Sequence, residues 1–124
     1  HGFASSVGGL FDIPHGTLCA TLLAEAPREN IRQLLASEGG ESGLRKFANA
    51  SRILTGASTG NVANDCGRLV ELLEEWQARY AFPRLGDFGV SESDFDAIIP
   101  ATRSKTNAVP LDEAAMRRIL VARV

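Results

Sequence analysis

The sequence predicts an all-α fold, a single bundle-like domain of six or seven helices. Three observations carry that expectation. Apolar residues recur at three- and four-residue spacing along most of the chain, and no segment shows strand-like alternation. Glycine pairs and prolines mostly separate the periodic stretches. The chain has 124 residues, 44% of them apolar and 23% charged, which is enough for one continuous core and matches the balance of a soluble globular protein. Short loops between the helices favour antiparallel neighbours.

Residues 1–10 are small and weakly amphipathic and stop at Gly8-Gly9, because paired glycines end a helix readily. Phe11-Asp12-Ile13 reads as a turn, and the fixed φ of Pro14 suits the start of a helix. From His15 to about Glu25, Leu18, Cys19, Leu22 and Leu23 recur at helical spacing. Pro27 is expected to interrupt, since the residue before a proline tends to leave the α region. A helix over about 28–37 carries Ile31, Leu34 and Leu35 on one face and ends at Gly39-Gly40. The next, about 41–54, has Leu44, Phe47, Ala48, Ile53 and Leu54, with Thr55-Gly56 as its stop and 56–60 as a small polar loop.

The strongest helix spans about 61–80, where Val62, Leu69, Val70, Leu72, Leu73, Trp76 and Tyr80 form a broad apolar stripe. Glu71, Glu74, Glu75 and Arg79 decorate its other side, Glu75 standing four residues before Arg79. The stripe reads as core. Read as a partner surface, it makes the chain a non-enzymatic helical interaction module, and the exposure of Trp76 separates the two. Pro83 and Gly86 end this unit. Ser91, with Asp94 three residues on, signals a helix over about 92–102 with Phe95, Ile98 and Ile99 inward, shortened or kinked by Pro100. Residues 103–110 read as a loop, and a last helix over about 112–122 buries Met116, Ile119 and Leu120.

Net charge is −2 with acids and bases interspersed, which leaves no electrostatic footprint for nucleic acid. No apolar run approaches the ~20 residues that span a bilayer. Arg117, Arg118 and Arg123 read as a solvated face beside Asp112 and Glu113. Cys19 and Cys66 are too far apart for a CxxC motif, and each reads as a small buried apolar residue in a reduced, cytoplasmic protein. The chain opens on His1-Gly2 without a methionine and without the segments of a signal peptide, so it is expected to begin inside a structural element of a longer polypeptide.

The two histidines, His1 and His15, are each followed by glycine. Along one straight helix that interval spans about 21 Å, whereas two imidazoles on one metal place their nitrogens about 2.0–2.1 Å from it. A helix, a reversal and a second helix can bring them together, and Gly8-Gly9 followed by Pro14 supplies the reversal. Two histidines do not complete a site; at least one more ligand, such as a carboxylate, must come from elsewhere.

The strip from His1-Gly-Phe-Ala-Ser-Ser through Pro14-His15-Gly16 closely resembles the C-terminal metal motif of iron-containing (group III) alcohol dehydrogenases. Ala48–Gly56, ending Leu-Thr-Gly, is similar to that family's corresponding helix end. Phe82-Pro83-Arg84-Leu85-Gly86 through Gly89-Val90, and Asn107 to Leu111 with Pro110, are similar to its later connections. The match runs over nearly the whole chain, but only the first strip is sharp.

The resemblance implies the C-terminal helical domain of a two-domain enzyme. Its N-terminal NAD(P)-binding α/β domain lies outside this chain. It implies a divalent metal, Fe2+ or Zn2+, held by one Asp and three His, of which the two later histidines match His1 and His15. The metal acts as a Lewis acid on the oxygen of a small alcohol or aldehyde substrate, and hydride passes between alcohol and nicotinamide. Asp12 is either an acceptor behind a ligand imidazole or a turn residue, and Phe3 and Phe11 are core or pocket wall. Many relatives carry a further histidine where this chain has Ser5, on the His1 side of the helix. The chain alone is expected to be inactive and metal-poor. A related reductase, of the maleylacetate reductase or glycerol dehydrogenase type, stays open as the parent, as does a homo-oligomer.

Overall fold

Each helix boundary has a local cause that can be traced to particular residues. The computed structural model describes residues 2–103 and 107–124. His1 and part of the expected 103–110 loop lie outside the described residues. These contain α1 (Gly2–Gly8), α2 (His15–Thr21), α3 (Glu25–Ala36), α4 (Glu41–Thr55), α5 (Val62–Arg79), α6 (Phe95–Ala101) and α7 (Glu113–Val121), with short 3-10 turns at Gly86–Phe88 and Glu92–Asp94 and no strand. The all-α expectation is met.

The Asn61 side chain accepts from the Asn64 amide at 3.0 Å and starts α5, and Asp112 does the same for Ala115 at 2.7 Å in α7. The Asp94 carboxylate accepts from both the amide and the hydroxyl of Ser91, at 2.8 and 2.9 Å, and fixes the turn that leads into α6. Gly56 ends α4 at φ +70, donating its amide to Arg52. Pro27 breaks nothing. It lies in the first turn of α3, where its missing N–H has no intrahelical acceptor to lose. The break comes earlier, at Leu22–Ala24, so α2 ends at Thr21 rather than near Glu25.

Two halves share the molecule. In one, α1 packs on α2 and α6, and α6 on α7, around Val7, Leu18, Leu85, Phe95, Ile98 and Leu120, all fully buried. In the other, α3, α4 and α5 close around Ile31, Leu34, Leu44, Cys66 and Val70, with Ala24, Leu69 and Leu73 beside them. Each fully buried Leu, Ile or Phe contributes about 1.5–3 kcal/mol. Trp76 is half-buried against the Leu69–Leu73 cluster, so the centre of the α5 stripe is core, while Val62 and Tyr80 at its ends are exposed. Three further assignments are corrected: Leu35, Ile53 and Leu54 face outward, Ile53 at 74% exposure. The buried line of α4 runs through Leu44, Ala48 and Ser51, and Ile53 falls on the opposite side of the helix.

Polar ties add to the packing, one of them between the halves. Glu29, buried on α3, receives both Nε and Nη2 of Arg118 from α7, at 3.1 and 2.6 Å. This guanidinium holds the Glu29 carboxyl below the ordinary glutamate range. Arg117 bonds Asp96 at 2.8 Å and lies over the Phe95 ring. Arg117 and Arg118 remain partly solvated, as expected, but both also tie helices together. Arg123 donates to the carbonyls of Phe82 and Pro83, Arg84 donates back to those of Ala122 and Val124, and the Leu85 amide bonds the Arg123 carbonyl at 2.7 Å. Glu75 and Arg79 form no ion pair; Arg79 stacks over Tyr80 instead. No described helix is long and apolar enough to cross a membrane.

Candidate metal centre

The strip that carries the histidines folds as a two-helix hairpin. After Gly8, the amides of Leu10 and Phe11 both bond the Val7 carbonyl, at 3.0 and 2.8 Å, and the Ile13 amide bonds Phe11. Pro14 stands just before α2 with φ −56 and ψ 136, and its carbonyl accepts from Leu18. The reversal expected between the histidines is present. Its cause differs in one respect: neither Gly8 nor Gly9 adopts positive φ. A Cβ on Gly8 would make only ordinary van der Waals contact with Leu18 Cδ1 of α2, at 3.4 Å, so the packing there does not require glycine.

The head of α1 does require it. A Cβ on Gly2 would stand 2.5 Å from the Arg103 carbonyl oxygen, so the first turn can lie against residues 102–103 only without a side chain. The Ser6 and Thr102 hydroxyls share a hydrogen bond of 2.7 Å beside it. Phe3 is core, and Phe11 is half-buried against it.

His15 opens α2 with an exposed imidazole. Its Nε2 lies 3.5 Å from Sγ of Cys19, one turn on along the same face. Cys19 is half-buried and packs against the core of this half, so the buried apolar reading holds for it only in part, whereas Cys66 is fully buried and donates to the Leu44 carbonyl at 3.2 Å. Burial pushes the Cys66 thiol up. Asp12 is exposed and lies in the connection before Pro14. Ser5 is exposed on α1. Among the described residues no three His, Cys, Asp or Glu side chains converge on one point. The donors suited to a divalent cation are the His15 nitrogen and its sulfur neighbour, and an exposed imidazole fits Fe2+ and Zn2+ alike.

Two side chains behind this face escape sequence reasoning. Gln77, buried on α5, donates from Nε2 to the carbonyls of Ala20 and Thr21, at 3.1 and 2.7 Å. These carbonyls end α2; that of Ala20 also accepts from the Leu23 amide at 3.2 Å, and that of Thr21 has Gln77. The Thr21 hydroxyl bonds the Pro83 carbonyl at 2.8 Å. The α3–α5 half thus holds the C-terminal end of the helix that His15 begins. Periodicity places Gln77 on α5, but only the tertiary fold brings it to α2.

Residues 1–123 match the family described as Fe-containing alcohol dehydrogenase family, C-terminal. The chain belongs to that family. A 1,3-propanediol dehydrogenase of Citrobacter freundii is 32% identical over 97 residues, covering 77% of this chain and 23% of that protein. Alcohol dehydrogenase 4 of Schizosaccharomyces pombe is 33% identical over 99 residues, covering 80% and 21%. A solved 1,3-propanediol oxidoreductase superposes on 100% of this chain with TM-score 0.80 and 25% identity, the match covering 32% of that structure. The chain thus spans less than a quarter of the length of these two sequence relatives.

Proposed function

We propose that this chain is the metal-holding helical part of an NAD(P)-linked dehydrogenase of small alcohols, with His15 and His1 as two ligands of its divalent cation, Fe2+ or Zn2+. One observation carries the reading: an exposed imidazole begins α2 on a packed two-helix hairpin, in a chain of the Fe-containing alcohol dehydrogenase family. When bound, the cation supplies Lewis acidity toward the alcohol oxygen and the nicotinamide takes the hydride.

The residues of this chain have a narrower task. His15 offers a ring nitrogen from a fixed position, because α2 is anchored by Leu18 below and Gln77 behind. Val7 and Leu18, both fully buried, keep water from under the hairpin. Ser5 has a hydroxyl where many relatives carry histidine, so it offers a hydrogen bond but no base that titrates near neutral pH. The nucleotide-binding domain and the remaining ligands belong, in this proposal, to polypeptide outside these 124 residues. The small share of each relative that the chain covers supports this.

Metal content tests the reading. His1→Ala and His15→Ala, each in the full polypeptide, are expected to lose most of the bound metal and NAD(P)-linked alcohol oxidation together. Full metal occupancy in both variants overturns the assignment. The 124-residue chain alone is expected to show no such oxidation.

A further inference from the structure

Helices α3 and α5 leave between them an open groove of about 590 Å³ with an apolar floor. We propose that this groove is a contact between two copies of the protein, a two-fold pair in which α3 of each copy lies against α5 of the other. Nothing in this contact depends on which residues hold the cation.

One ion pair sets the register of the groove. Arg28, near the start of α3, pairs with Glu74, near the end of α5, so the two helices run antiparallel and this pair closes one end. Away from it, Arg32 and Glu71 stand one turn along on opposite rims, and Leu35 and Gly67 stand two turns along, about 10 Å from the pair. Ile31 and Val70 are buried and form the floor, while Leu35 beside them is 56% exposed.

Three features point to a second copy. First, the rims carry opposite charge at one level, and both Arg32 and Glu71 are exposed. A two-fold axis along the groove lays the basic rim of each copy over the acidic rim of the other, so Arg32 faces Glu71 twice. An axis across the groove would set like charges face to face, so the rims fit a second copy in one orientation. Second, Gly67 lies inside α5, where glycine weakens a helix relative to alanine. It does not adopt positive φ, and a Cβ there would meet nothing within 4 Å. The single copy therefore gives no reason for glycine at this place; close approach from outside does. Third, Leu35 supplies what the gap receives. With the axis along the groove, Leu35 of each copy stands opposite Gly67 of the other, and its exposed side chain enters the space that the missing Cβ leaves.

Sedimentation of the full polypeptide over a dilution series tests the contact, and each substitution acts twice at a two-fold interface. Arg32→Glu and Glu71→Arg should each weaken association by about tenfold or more, and the two combined should restore it, because the charges have changed sides. Gly67→Leu should lower the assembled mass by half while α-helical circular dichroism is unchanged, since each copy has room for the side chain. A parent polypeptide that stays monomeric at every concentration overturns the proposal. So does an assembly that survives Gly67→Leu, one that neither charge reversal weakens, or one that the combined reversal fails to restore. A monomer that Gly67→Leu unfolds also overturns it, by showing the groove filled by another part of the same polypeptide.

Discussion

Helices α3, α4 and α5 run for 12, 15 and 18 residues, while α1 and α2 run for seven each. An isolated helix is marginal in water below about 12–15 residues. The first group has the length and amphipathic face to be stabilised by its own pattern. The second does not, and it is held by what surrounds it: a glycine that admits the 102–103 backbone, a serine–threonine hydroxyl pair, and a glutamine from α5 on the end of α2. The candidate ligand therefore sits on the part of the molecule least able to hold its own shape. Its position is set by neighbours, the end of α6 in its own half and Gln77 from the other.

The largest expected effect tests whether the halves fold as one unit. Phe95 is fully buried beneath α1 and α2, and Phe95→Ala should cost about 3–5 kcal/mol. Urea melts followed by Trp76 fluorescence, a probe in the α3–α5 half, should shift together with those followed by far-ultraviolet circular dichroism. An unmoved Trp76 midpoint would break the comparison. Gly2→Val comes next, at about 1–3 kcal/mol, because its Cβ collides with a carbonyl rather than a movable side chain. A lower urea midpoint checks it. Gln77→Leu should cost about 1–2 kcal/mol by leaving the Thr21 carbonyl at the end of α2 without its donor, and should weaken metal binding even though Gln77 lies on another helix.

Glu29→Gln sharpens the comparison through pH. The folded carboxyl is depressed mainly by its bond to Arg118, so near the ordinary glutamate value the unfolded state binds more protons than the native one. Its stabilising contribution is complete above about pH 5, and it is lost as pH falls through the ordinary value, about 4.3, and then the lower folded one. Stability of Glu29→Gln should accordingly be about 1 kcal/mol lower at pH 7, with a shallower fall from pH 5 downward. Ile53→Lys, on the exposed side of α4, should stay within about 0.5 kcal/mol of the parent.

The long helices were legible because their pattern is local. Apolar spacing defines α5, and Gly56 and Ser91-Asp94 mark boundaries where backbone geometry or a side-chain bond acts within a few residues. Pro27 was misread because a proline's effect depends on whether its missing donor would have had a partner, and in a first turn it would not. Leu35, Ile53 and Leu54 were misread because apolar character does not say which side of a helix meets the core. At the candidate site the reversal between His1 and His15 followed from Gly8-Gly9 and Pro14. Gln77 did not, since its partners lie more than fifty residues away. Cys19 lay in view at a readable spacing from His15, but spacing alone does not give the distance between two atoms.

The reciprocal bonds between residues 82–86 and 122–124 have a consequence for amide hydrogen exchange. Leu85 lies in a connecting segment outside any α-helix, yet it is fully buried and its N–H is taken by the Arg123 carbonyl. Exchange at that amide requires the tail to lift away, with the Arg84 and Arg123 bonds broken at the same time. The Leu85 proton should therefore exchange on the slow timescale of global unfolding, alongside the centres of α5 and α6, and mark an irregular stretch that opens only when the whole molecule does.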